Sequence, residues 1–154
     1  MCMGIALPLY DLPVTLHAVP EVVSRIHRRG EFDEVQFHWW NVPTSLPVRW
    51  FGRVQLLRWG SKDRRARLPR GGWIDEASLE AGQLAGAAPE EVIIPAVLGH
   101  DKGMWFVITT GIRGVVVGDA GGPVVYMLTR PATNYYRNMT EQSRTMPVLV
   151  NQVI

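Results

Sequence analysis

Cysteine is almost absent from this chain. Of 154 residues only Cys2 carries a thiol, which excludes an internal disulfide framework and removes any pointer to an oxidising compartment. No run of 18 apolar residues occurs, and no basic n-region leads into an apolar h-region. Neither a membrane-spanning helix nor a secretory signal is therefore expected. The four histidines, His17, His27, His38 and His100, lack the spacing of a metal site, so neither a metal nor another cofactor is expected. The stretch GDAGG at 118–122 is followed by no GK[ST], and a phosphate-binding loop is excluded with it. What is present is 47% hydrophobic and 19% charged, a globular rather than a disordered balance. The expectation is one domain over residues 1–154, monomeric and cytoplasmic.

Charge is distributed unevenly. The net is only +2, yet the segment from Arg49 to Arg70 holds eight of the 16 Lys and Arg side chains against one acid, Asp63. Arg53, Arg58, Arg64, Arg65, Arg67 and Arg70 belong to this stretch, with Trp39, Trp40, Trp50, Phe51 and Trp59 in or beside it. Arginine suits bidentate phosphate contacts and stacking on bases. Guanidinium groups interleaved with aromatic faces are what a single-stranded nucleic acid needs, charge for its backbone and π-surface for its bases. A solvated loop with core tryptophans at its ends gives the same pattern, and the residues alone leave both readings open. Trp39 and Trp40 cannot both be core if they lie on one strand, because neighbouring side chains point to opposite faces.

Periodicity predicts mostly strands. AVPEVVSRIHR (19–29) fits a helix, with Pro20 in its first turn and Gly30 beyond its end. EVQFHWW (34–40) and PVRWFGRVQLLRW (47–59) read as β, and 60–72 as an Arg-rich loop bounded by Gly60 and Gly71-Gly72. WIDEASLEAGQLAG (73–86) is a weak helix. Four short apolar runs follow at 91–98, 104–110, 114–119 and 123–129, then a short helix over 133–139 and a last strand over 146–153. The fold expected is α+β, a single domain built on a mainly antiparallel, barrel-like sheet with a few short helices.

Cys2 stands directly after the initiator methionine. A small second residue normally permits removal of Met1, which leaves an amine and a thiol on one residue. These titrate near 8 and 8.5 in ordinary surroundings, so appreciable fractions of both are nucleophilic at neutral pH.

Laid in order, MC at the start, WNVPTSLPV at 40–48, RWG at 58–60, EVIIPAVLGHD at 91–101 and VYMLTRPATN…SRTMPVLV at 125–150 resemble the SRAP family, the SOS-response-associated peptidase or abasic-site processing proteins. The family landmarks are MCGR, YNVAPT, a WG-containing strand, NARxET, CLVPADGFYEW and ILTTPAN…HDRMPVIL. The resemblance implies recognition of abasic sites in single-stranded DNA. It implies too that the N-terminal cysteine condenses with the sugar aldehyde, its amine giving a Schiff base on which its thiol closes as a thiazolidine. The same pairing serves autoproteolytic removal of a leading residue in that family.

Position by position, the resemblance puts Asp101 where the family has the FYEW glutamate, with His100 beside it, and Glu76 at the glutamate of NARxET. Asn41 matches the asparagine of YNVAPT. Ser143 stands where the family has its histidine, Gly72 where it has the NARxET asparagine, and Gly4 where it has the MCGR arginine. A serine does not shuttle protons near pH 7 as imidazole does. Three functions from different classes stay open: a single-stranded DNA protein that cross-links abasic sites through Cys2, with Asp101, His100 and Glu76 assisting; a degenerate relative that only binds nucleic acid; and an N-terminal-nucleophile hydrolase of amides. The basic stretch counts against the third, since an amide substrate gives no reason for it.

Overall fold

Short β-branched runs separated by glycine turns become strands in the computed structural model, which describes residues 1–154. At the centre of one sheet runs β1 (Gly4–Pro8), paired antiparallel with β3 (Phe32–His38) on one side and β8 (Leu98–Asp101) on the other. With β2 (Ile26–Arg29) and β9 (Met104–Val107) outside them, the order is β2-β3-β1-β8-β9. A second sheet runs through β10 (Ile112–Asp119), β7 (Glu90–Ile94), β4 (Ser45–Trp50), β5 (Arg53–Trp59) and β11 (Gly122–Pro131), and β11 pairs back onto β10 to close a barrel. Two three-residue strands, β6 (Trp73–Asp75) and β12 (Thr145–Pro147), extend it along β11. The helices are short: α1 (Pro20–Val23), α2 (Glu76–Glu80) and α3 (Asn134–Met139). The fold is α+β, mainly antiparallel, with a closed five-stranded barrel beside a sheet; only the pairings of β11 with β5 and β6 are parallel.

Alternation along β11 divides the interior. Val125 and Met127 join a cluster of 23 buried residues that both sheets fill, whereas Val124, Tyr126 and Leu128 join a smaller cluster of eight under Ile74 and Leu84. Period-two side-chain direction produces that split.

Several predicted boundaries move. The helix expected over 19–29 stops at Val23, and residues 26–29 become β2, because Ile26 finds a buried cross-strand partner in Val35. The run 47–59 is two strands, not one: Phe51 and Gly52 both take positive φ, 52° and 72°, and turn the chain back as a hairpin. The run 91–98 is cut at Pro95, which has no N–H for a ladder; β7 ends at Ile94 and β8 begins at Leu98 in the other sheet. The weak helix at 73–86 opens as β6, and α2 follows with Asp75 accepting from the Ser78 N–H. The last strand is limited to Thr145–Pro147. The helix over 133–139 forms as α3, capped by the Thr133 hydroxyl on the Tyr136 N–H.

Candidate active site at the N-terminus

The central position of β1 places the N-terminus. Gly4 is the cross-strand neighbour of both His38 and His100. Upstream, the Met3 N–H donates to the His100 carbonyl at 2.8 Å, and the Trp39 N–H donates to the Met3 carbonyl at 2.9 Å. Trp73 Nε1 donates to the Cys2 carbonyl at 2.9 Å. Residues 1–3 therefore stay threaded in line with β1, and the chain end reaches Asp101 at the end of β8. Only glycine fits at position 4, because a Cβ there would lie 2.3 Å from Nδ1 of His38.

The amine of Met1 lies 3.0 Å from Oδ2 of Asp101 and donates to Oγ of Ser143 at 3.3 Å. Ser143 Oγ donates to Oδ1 of Asp101 at 3.0 Å, and the Tyr136 hydroxyl donates to Oδ2 at 2.7 Å. Asp101 is fully buried, while Met1 is 42% exposed. The carboxylate is thus fixed by two hydroxyls and presents its charge to the amine of a residue at the surface. Burial first, then the proximity of Cys2 and Asp101, raises the Tyr136 hydroxyl far above its ordinary range, so it remains a proton donor to the carboxylate.

Cys2 is fully buried and belongs to the main core cluster. Its thiol donates to the Gly4 carbonyl at 3.2 Å. Burial pushes the thiol up to about 12, against the opposing pull of nearby backbone hydrogen bonds. In this state the thiol is stored in the core, while Met1 borders solvent.

Non-glycine residues in left-handed backbone flank the site. Lys102 (φ 46°) follows Asp101, and Glu141 and Gln142 (φ 53° and 66°) precede Ser143. Lys102 Nζ donates to the Glu141 carbonyl at 3.0 Å, which ties the two turns together. Such conformations persist only where the surroundings over-determine them.

The outer face of the sheet carries a ring cluster. Trp40 stacks on His38 with centroids 4.3 Å apart, and His100 lies 5.2 Å from His38 and 4.5 Å from Trp105. Gln36 gives its amide N–H to Glu34 at 3.0 Å, so its oxygen is left to accept from His38 Nε2 at 3.2 Å. His38 Nδ1 is then a bare lone pair, and neither it nor His100 Nδ1 has a partner. Burial lowers His38 to about 4, with His100 adding to the shift; burial also lowers His100, against the pull of Asp101. His100 is thus next to Asp101 in sequence but turned toward the rings.

The remaining expected residues lie elsewhere. Glu76 does not join Cys2: it bridges Arg113 and Arg130 at 3.2 and 3.1 Å. Asn41 turns the chain after β3, its Oδ1 accepting from the His38 N–H at 2.7 Å. Trp39 packs against Trp59 and Trp73, and Lys62 lies 4.7 Å over its ring, whereas Trp40 is 56% exposed. The Arg-rich segment is a loop closed at its neck by paired hydrogen bonds between Ser61 and Gly71, with Gly60 at φ 62°. Arg64, Arg65, Arg67 and Arg70 on it are exposed. Arg53 is exposed at the β4–β5 hairpin, and Arg58 is paired with Asp119. Arg67 also borders a cleft of about 1070 Å³ with Asp119 and Leu84.

Spacing in the sequence carried no signal for Tyr136 or Trp73, whose roles arise only when α3 and β6 dock. No three His, Cys, Asp or Glu side chains are grouped to hold a metal ion, and no helix is long and apolar enough to cross a membrane. No family model, no curated protein and no solved structure matches this chain.

Proposed function

We propose that this protein binds single-stranded DNA and captures the aldehyde of abasic sites at its N-terminus, with Cys2 as the residue that makes the link durable once Met1 has been removed. The observation that carries this reading is the grip of Asp101 and Ser143 on the terminal amine, at 3.0 and 3.3 Å. Those are the two positions that the SRAP resemblance puts at the family's glutamate and histidine.

The residues divide the work. Asp101 takes a proton from the ammonium, and the freed amine adds to the aldehyde carbon. Returning that proton to the carbinolamine hydroxyl releases water and leaves an iminium beside the carboxylate, which stabilises its positive charge. With Cys2 at the terminus, its sulfur adds to the iminium carbon and its thiol proton leaves to Asp101, closing the five-membered ring. Ser143 and Tyr136 hold the carboxylate in place. Removing Met1 draws the terminus back by one residue, about 3.8 Å between Cα atoms. Arg64, Arg65, Arg67 and Arg70 supply phosphate contacts, and the exposed face of Trp40 supplies a surface for a base.

A denaturing gel tests the reading. Protein freed of Met1 forms a heat-stable band with a single strand carrying one abasic site, forms none with the undamaged strand, and Cys2→Ser forms none with either. No band with the abasic strand contradicts it. A second reading, nucleic-acid binding alone, is favoured by the burial of Cys2 and the height of its thiol pKa; on that reading Cys2→Ser leaves DNA binding unchanged.

A further inference from the structure

The proposed linkage uses Cys2 as the first residue, yet the amine that the fold presents is that of Met1. We propose that the Met1-bearing protein is itself an aldehyde-capturing amine, forming a reversible imine with abasic single-stranded DNA, so that the state of the N-terminus selects between transient and durable capture. This rests on the reading of the site as an aldehyde-capturing one and extends it to a second chemistry.

Four observations carry the inference. Met1 is 42% exposed, whereas Cys2 is fully buried, so the terminal residue and not Cys2 borders solvent. The amine already sits within proton-transfer distance of a buried carboxylate, 3.0 Å from Asp101. That carboxylate is held on both oxygens, by Ser143 at 3.0 Å and Tyr136 at 2.7 Å, so it is preorganised for the cation that condensation creates. The Cys2 thiol is committed to the Gly4 carbonyl at 3.2 Å. A thiazolidine also needs the thiol on the residue that bears the amine, and the thioether of Met1 has no proton to exchange.

The bonds balance without another reagent. The Met1 nitrogen lone pair forms the N–C bond to the aldehyde carbon as Asp101 accepts an ammonium proton. A nitrogen proton passes to the new alkoxide to give the carbinolamine, Asp101 returns its proton to that hydroxyl, the C–O bond breaks, and water leaves an iminium, the protonated imine, beside the carboxylate. Water adding back reverses each step. Nothing inside the site stops that reversal, whereas ring closure by Cys2 in the trimmed protein does.

The same geometry preserves the Met1 form. The Cys2 carbonyl accepts from Trp73 and the Met3 N–H donates to His100, so the Met1–Cys2 bond is held within folded structure.

The test uses full-length protein resolved by intact mass into Met1-bearing and Met1-free forms. Each is incubated with a single-stranded oligonucleotide carrying one abasic site, with and without cyanoborohydride. The Met1-bearing form gives a covalent adduct only with the reductant, one water lighter and two hydrogens heavier than the sum, and peptide mapping places it on Met1. Cys2→Ser, isolated in its Met1-bearing form, retains this adduct, while Asp101→Asn slows its formation by about 10²-fold, in the range of general acid–base assistance. Ser143→Ala, which removes one hydroxyl from the carboxylate and leaves Tyr136 in place, slows it less and guards against misfolding of the Asp101 variant. Reductant-dependent labelling confined to Lys62 or Lys102 overturns the inference. So does a Met1-bearing form that stays unmodified while the Met1-free form cross-links, an outcome that leaves the Cys2 reading standing. If neither form reacts, both fall.

Discussion

The carboxylate of Asp101 stands 3.0 Å from the amine of Met1, joining the end of β8 to the start of the chain. This contact is reinforced by hydroxyls from α3 and from the turn before β12. The pairing therefore ties the start of the chain into a buried hydrogen-bond network.

Replacing Asp101 by alanine strips two buried hydroxyls of their acceptor. A loss of about 3 kcal/mol is expected for the unpaired groups, seen as a fall in Tm on the order of 10 °C for a chain of this size. Asp101→Asn keeps an acceptor oxygen and is expected to lose clearly less. Thermal unfolding followed by circular dichroism measures both; equal Tm values for wild type and Asp101→Ala contradict the described network.

The buried thiol gives a pH signature. Folding raises Cys2 to about 12 from its ordinary 9.0, so the unfolded chain loses its thiol proton first. Above about pH 9 the unfolded state binds fewer protons than the folded one, and stability falls as pH rises toward 12, by up to about 1.4 kcal/mol per pH unit from this group. Cys2→Ala removes that part of the alkaline slope. An Ellman reaction at pH 8 is expected to be slow on folded protein and rapid in denaturant; equal rates contradict the burial of Cys2.

His38 acts at the acid end. Burial lowers it to about 4 from 6.5, with His100 adding to the shift. The unfolded chain therefore takes up this proton first, and stability is lost as pH falls from about 6.5 toward 4. His100 is lowered as well and contributes in the same direction, while Glu34, tied to Arg29, lies at the far end of the Gln36 relay. NMR titration of the His38 ring reads the shift directly, and a value at or above 6.5 is the contrary result.

Exposed charge on the loop closed by Ser61 and Gly71 sets the DNA prediction. Substituting Arg64, Arg65, Arg67 and Arg70 together with alanine is expected to weaken single-strand binding and to flatten its logarithmic salt slope by up to about 3, roughly 0.7 for each phosphate no longer neutralised. Because all four are exposed, the Tm is expected to stay within about 1 °C, as for surface substitutions away from buried networks. Fluorescence anisotropy across a salt series checks this, and an unchanged slope places the binding elsewhere.

Periodicity and glycine placement made the barrel-like α+β architecture legible, and Gly60 with Gly71 marked the neck of the Arg-rich loop correctly. Asp101 was singled out only by the SRAP resemblance, and the structure sets its carboxylate 3.0 Å from the Met1 amine. What stayed hidden depends on long-range partners. Residues 26–29 look helical until Val35 offers Ile26 a cross-strand contact. Glu76 looks like a candidate acid until Arg113 and Arg130 close on it. Cys2 reads as a reactive terminus in sequence, and only the sheet around β1 shows its thiol stored in the core. Tyr136 is one of two adjacent tyrosines, and nothing in the sequence says which one faces Asp101; α3 buries Tyr136 and leaves Tyr135 67% exposed.

The most direct measurement is intact-mass spectrometry of Met1-free protein after incubation with a single-stranded oligonucleotide bearing one abasic site, with no reductant present. The expected result is an adduct lighter by one water than the sum of its parts, lost in Cys2→Ser and slowed in Asp101→Asn. Free protein and intact oligonucleotide recovered side by side, with Met1 confirmed absent, is the result that contradicts durable aldehyde capture through Cys2.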